Sequence, residues 1–131
     1  MYDYRFDARP EAGVIAELYR RSPLNRPVND VERIRRMYAG SNLVIAVWDR
    51  ETLVGILRGW TDGAYDGYIC DLAIDPDHQK WGIGRELLDR ARTAYPEVQF
   101  VLRASKIAER YYEHLGWKKI ENGWYSPRPE W

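Results

Sequence analysis

The run Asp71-Leu72-Ala73-Ile74-Asp75-Pro76-Asp77-His78-Gln79-Lys80-Trp81-Gly82-Ile83-Gly84-Arg85 constrains this chain more than any other. An apolar strand stops at Asp75-Pro76, because proline has no amide hydrogen to give a sheet ladder. A polar loop follows, then two glycines one residue apart, then a helical pattern from Arg85. Glycine permits tight backbone paths and close approach of a ligand. A helix that opens behind such a loop turns free amides and its positive dipole end into the same space. Strand, glycine loop and helix start together predict an anion site, most often one for phosphate.

The rest of the chain reads as mixed α/β. Tyr2 to Phe6 alternates aromatic and polar residues and predicts a strand. A helix follows Pro10, with Val14, Ile15, Leu18 and Tyr19 inward. Asn29 or Asp30 can cap a second helix, with Val31, Ile34 and Met37 inward and Gly40 at its end. Leu43–Trp48 and Leu53–Trp60 read as a hairpin, and Tyr68–Ile74 is the strand before the loop. Beyond the loop come a helix with Leu87, Leu88 and Ala91 on one face, a strand at 98–102, and a helix over 107–115. A last hairpin is expected from Trp117–Ile120 and Trp124–Tyr125 around Asn122-Gly123. The front half is antiparallel in this reading, and residues 1–131 form a single domain.

Composition removes several classes of function. Formal net charge is zero, which gives no attraction to nucleic acid or to a membrane surface. Cys70 is the only cysteine, and His78 and His114 lie on different elements, so no metal site is expected. No apolar run has the length of a signal peptide or a membrane span, so a cytoplasmic protein is expected.

The loop is not a Walker loop, which needs Gly-Lys followed by Ser or Thr. Nor is it a dinucleotide fingerprint, whose third glycine position is Leu87 here. The spacing that fits is Gln-x-x-Gly-x-Gly, at Gln79, Gly82 and Gly84. It resembles the pyrophosphate loop of the GNAT superfamily of acetyl-CoA-dependent N-acetyltransferases. A lone Gly-x-Gly would suit a surface turn equally well. The stretch Ser105 to Trp117 is similar to the second motif of that family, with Ala108, Tyr111, Tyr112, Gly116 and Trp117 in register. Ser105 stands where the family usually has Asn.

The resemblance implies a mostly antiparallel central sheet flanked by helices and transfer of acetyl from acetyl-CoA to a primary amine by direct attack. It implies carrier contacts at Gln79, Lys80, Trp81, Gly82, Ile83, Gly84 and Arg85. Leu72, Ala73 and Ile74 would pair through backbone with the pantetheine arm, and Ser105, Ala108 and Tyr111 would complete the carrier site. Tyr112 falls in register with the family's proton donor to the departing thiolate. Asp71 is the nearest acid that could take the amine's proton or bind the amine. An acid in an apolar strand is costly unless paired, so a structural role beside an arginine is the alternative. Trp60, Tyr65, Trp124 and Tyr125 are expected to form an aromatic acceptor wall, and the aromatic tail suggests a homodimer. An acyl-CoA-binding module without catalysis is the other functional class.

Overall fold

The computed structural model describes residues 1–130, apart from the side chains of Lys80 and Trp81. Five strands form one sheet in the order β1 (Tyr2–Phe6), β2 (Leu43–Asp49), β3 (Thr52–Thr61), β4 (Asp66–Ile74) and β5 (Gln99–Leu102). The first three pairings are antiparallel and β4/β5 is parallel. Helices α1 (Ala12–Arg21), α2 (Val31–Ala39), α3 (Ile83–Ala94) and α4 (Glu109–His114) flank it. A 3-10 turn, Pro76–Trp81, joins β4 to α3.

Side-chain alternation along the strands feeds two cores. Val44, Ala46, Ile56 and Ala73 point to α1 and α2, where Ile15, Leu18, Tyr19 and Ile34 meet them. Leu43, Ile45, Val47, Leu57, Ile69 and Ile74 point to α3, against Ile83, Leu87 and Leu88. Burial on both faces explains why β2 and β3 are nearly continuous apolar runs. Asp30 caps α2 by accepting from the Arg33 amide at 3.0 Å, as its residue type predicts. No helix among the described residues is long and apolar enough to cross a membrane.

Two expectations are corrected at the C-terminal end. Residues 117–130 form no strand, so the terminal hairpin is absent among the described residues. An isolated two-stranded hairpin is marginal in water, and nothing of strand form lies on the free side of β5 to support one. The last helix is shorter than predicted, and Ile107 stands 94% exposed in the turn before it. Val14 and Val31, expected inward, are exposed on α1 and α2.

A second irregularity shapes the middle of the sheet. Arg58 pairs with Asp71, but the next residue, Gly59, pairs with Ile69. Cys70 is therefore an extra residue in β4, a bulge that bends the strand.

Candidate active site

The anion site predicted from the loop is built around Gly82 and Gly84. Gly82 ends the 3-10 turn and caps α3 in a left-handed conformation, with φ 71° and ψ 19°, where a residue with Cβ is strained. No side chain caps α3, and the first intrahelical bond is Glu86 N–H to the Gly82 carbonyl at 3.0 Å. The first-turn amides of Ile83, Gly84 and Arg85 are those a helix leaves without an internal partner. Ile83 itself is buried in the α3 core, so only its backbone belongs to the loop surface. Gln79 and Arg85 are exposed, and Arg85 lies 3.8 Å from Asp89. Lys80 and Trp81 have side chains outside the described set.

Gly84 is where the separate motifs meet. A Cβ built there would lie 3.2 Å from the Tyr111 hydroxyl, 3.8 Å from Leu72 and 3.9 Å from Ile74. Loop, β4 and α4 thus meet at one spot, where the missing side chain lets them approach closely. Beside it, β4 and β5 part company: their pairing ends at Ile69 with Leu102, while β4 continues to Ile74. The backbone of residues 71–74 therefore has no strand partner on its β5 side. Ala73 contributes only this backbone, because its side chain is in the α1/α2 core.

The two tyrosines of α4 differ. Tyr111 points its hydroxyl at Gly84; burial raises its pKa and Arg85 opposes the rise. Tyr112 packs edge-on against Tyr111 at 5.4 Å and Trp117 at 5.8 Å. Burial, and secondarily Tyr111, push its pKa up to about 12. Ser105 is exposed and its hydroxyl accepts from the Ala108 amide at 3.3 Å, so it shapes the turn that starts α4.

Asp71 sits in a different setting, 1% exposed on the α1/α2 side of β4. Its Oδ1 accepts from Arg26 Nε at 2.7 Å. Its Oδ2 accepts from Arg58 Nε at 2.7 Å and from the Tyr19 hydroxyl at 2.6 Å. Tyr19 has spent its one hydrogen on Asp71, so Tyr38 must donate in the 2.5 Å contact between the two phenols. The guanidinium of Arg58 also reaches Ser41 Oγ and Cys70 Sγ, and that of Arg26 reaches the carbonyls of Asn25 and Cys70. Burial alone would raise the Asp71 pKa, but Arg58 and then Arg26 outweigh it and hold the carboxyl below its usual range. This carboxylate has both oxygens committed and little appetite for a proton. That is a poor setting for a general base, and the alternative of pairing with arginine is the one the structure shows. Burial, then Asp71, push the Cys70 thiol up, which also disfavours a thiolate nucleophile.

The four residues of the expected aromatic wall have separate surroundings. Trp60 stacks on Tyr68 at 6.1 Å, lies 5.1 Å from the Arg58 guanidinium, and donates to the Gly40 carbonyl at 2.6 Å. Tyr65 is exposed at the β3–β4 turn. Tyr125 lies under Arg103, and Trp124 is 96% exposed. Among the described residues, no group of three or more His, Cys, Asp or Glu side chains could hold a metal ion.

Sequence reasoning missed Arg26, Arg58 and Tyr19 as partners of Asp71. Arg58 had a readable signal, since it interrupts the apolar run Leu53–Leu57. Arg26 had none, because it reaches Asp71 across 45 positions from a loop.

Comparison with known proteins agrees with the fold. The acetyltransferase (GNAT) domain family matches residues 17–126. A curated ycf52-like N-acetyltransferase of Prochlorococcus marinus, itself uncharacterised, is 26% identical over 108 residues. The match covers 73% of this chain and spans about 60% of the length of that relative. A GNAT family acetyltransferase from Streptococcus pneumoniae superposes with a TM-score of 0.76 at 19% identity, covering 98% of this chain and 100% of its own. A predicted acetyltransferase from Clostridium acetobutylicum, solved with acetyl-CoA, gives 0.73 at 15% identity, covering 98% and 96%.

Proposed function

The chain belongs to the GNAT acetyltransferase family, and from that premise we propose that it moves an acetyl group from acetyl-CoA to a primary amine by direct attack. The observation that carries this reading is the convergence at Gly84, where the first turn of α3, the Tyr111 hydroxyl and two β4 side chains come together. The first-turn amides suit the pyrophosphate. The unpartnered backbone of residues 71–74 suits an extended pantetheine arm, which can add to a sheet edge through main-chain hydrogen bonds. The clefted end of β4 would then hold the thioester.

Tyr112 is the proton donor in this reading. With its pKa pushed up to about 12 it stays protonated at any working pH. A thiol ordinarily titrates near ~8.5, so Tyr112 does not protonate a free thiolate downhill. It hydrogen-bonds the sulfur as charge develops there and passes its proton as the tetrahedral adduct collapses, and the phenolate then regains a proton from water. The nitrogen's proton leaves to water at the open strand edge, because Asp71 has no free oxygen to receive it. Asp71 serves by fixing Arg26 and Arg58 beside the bulge. Trp60, stacked beside the Arg58 guanidinium, is the aromatic assigned to the acceptor in this reading.

Release of CoA from acetyl-CoA, measured against a panel of primary amines, tests the proposal. Amine-dependent release supports it. Thermal stabilisation by CoA with no release on any amine would indicate a binding module without catalysis. Neither signal would remove the reading. The exposed Trp124–Tyr125 tail extends the proposal to a homodimer, and sedimentation as a monomer at high concentration would remove that extension.

A further inference from the structure

The 3-10 turn that delivers the chain to Gly82 is held from two sides. Its start is fixed in the sheet: Asp75 N–H donates to the Val54 carbonyl at 2.8 Å, and Asp75 Oδ2 accepts from Arg21 Nε at 2.9 Å. Its middle is held from the far edge of the sheet. The Tyr2 hydroxyl lies 2.7 Å from His78 Nδ1, and the two rings meet edge-on at 5.6 Å. These residues are 76 positions apart in sequence. Tyr2 is the first of three β1 aromatics that follow α3 along its length. Tyr4 lies 4.3 Å under the Arg90 guanidinium, and Phe6 is 6.4 Å from Tyr95 at the end of the helix. Only Tyr2 uses its hydroxyl on the turn itself.

We propose that Tyr2 and His78 are positioning residues whose hydrogen bond sets the 3-10 turn so that the α3 first-turn amides face the pyrophosphate of CoA. The inference rests on the acetyl-CoA reading above for its ligand. It assigns a role to the edge strand, which lies at the opposite side of the sheet from β5. Backbone sites depend on path more than on side-chain identity, so a tether on the path acts on affinity at one remove.

The full chain is titrated with CoA by calorimetry, and hydrogen exchange of the 76–85 backbone is followed without ligand. Tyr2→Phe keeps the ring and removes the hydroxyl. It should weaken CoA binding about three- to tenfold, the effect of one neutral hydrogen bond, and speed exchange in 76–85. His78→Ala should do the same, and the double variant should be no weaker than either single. His78→Asn places an amide near the Nδ1 position and should restore most of the affinity. Tyr4→Phe, the same change on the same strand, should leave both readings alone. Unchanged CoA affinity in Tyr2→Phe, unchanged exchange in 76–85, or an equal effect from Tyr4→Phe would each overturn the proposal. If the wild-type chain binds no CoA, the acetyl-CoA reading fails, and the exchange experiment alone decides whether the tether exists.

Discussion

Strand β4 borders two unlike neighbourhoods. On the α1/α2 side, Asp71 sits among Arg26, Arg58 and Tyr19 with both of its carboxylate oxygens taken. On the α3/α4 side, Leu72 and Ile74 border Gly84 and a strand edge without a partner. The charged residues are in the closed neighbourhood, and the open one is made largely of backbone. Titratable side chains in a strand are the easier feature to see in a sequence, yet here they belong to the part that holds the sheet. The part suited to a ligand depends on chain path, helix start and the early end of β5.

The largest effect should come from the closed side. Asp71→Ala leaves two guanidinium groups without their counter-ion and should cost about 3–5 kcal/mol in a urea unfolding titration. A loss under about 1 kcal/mol would mean that the cluster does not hold the fold. The same contrast has a pH signature. The folded Asp71 pKa lies below its ordinary value of 3.8, so its contribution is present above that value and drains away as pH falls through the folded pKa. The wild type should show this acid limb and Asp71→Asn should not.

Next in size is the open side's proposed proton donor. Tyr112→Phe should lower kcat about ten- to a thousandfold with CoA affinity little changed. Tyr111→Phe should act mainly on carrier affinity, since its hydroxyl faces Gly84. If Tyr111→Phe is inactive and Tyr112→Phe is not, the two roles must be exchanged. A smaller effect is expected at Gly82→Ala, which forces a Cβ into φ 71° and should cost about 1 kcal/mol of stability while weakening CoA. A stability loss without a change in CoA affinity would separate the left-handed cap from the anion site. The smallest belongs to the tail. Trp124→Ala should change monomer stability by no more than about 0.5 kcal/mol, because the side chain is almost fully exposed.

The same division governs what could be read in advance. The strand ending at Asp75-Pro76, the tight glycine loop at Gly82 and the start of α3 are local events, each decided by one or two residues, and they were legible. The apolar strand from Leu43 and a cap at Asn29 or Asp30 were legible for the same reason. Partnerships across the sheet were not. Asp71 announced that it needed a cation, but the choice of Arg26 and Arg58 is tertiary. Tyr2 with His78 is a second such case. The hairpin expected at Trp117–Tyr125 had local turn chemistry in Asn122-Gly123 but no neighbouring strand to stabilise it.

The single extra residue at Cys70 works as a change of parity. Before it, Ile69 faces α3; after it, Leu72 and Ile74 do, so odd numbers give way to even ones. Asp71 faces α1 only because of that step. Removing one residue here would therefore be a different event from replacing one. Losing Cys70 would let Asp71 follow Ile69 in regular alternation, so each side chain would keep its present face and only the bend would go. Running the strand straight with Cys70 kept in the ladder would instead turn the carboxylate toward the Leu87 core and present Leu72 to two guanidinium groups.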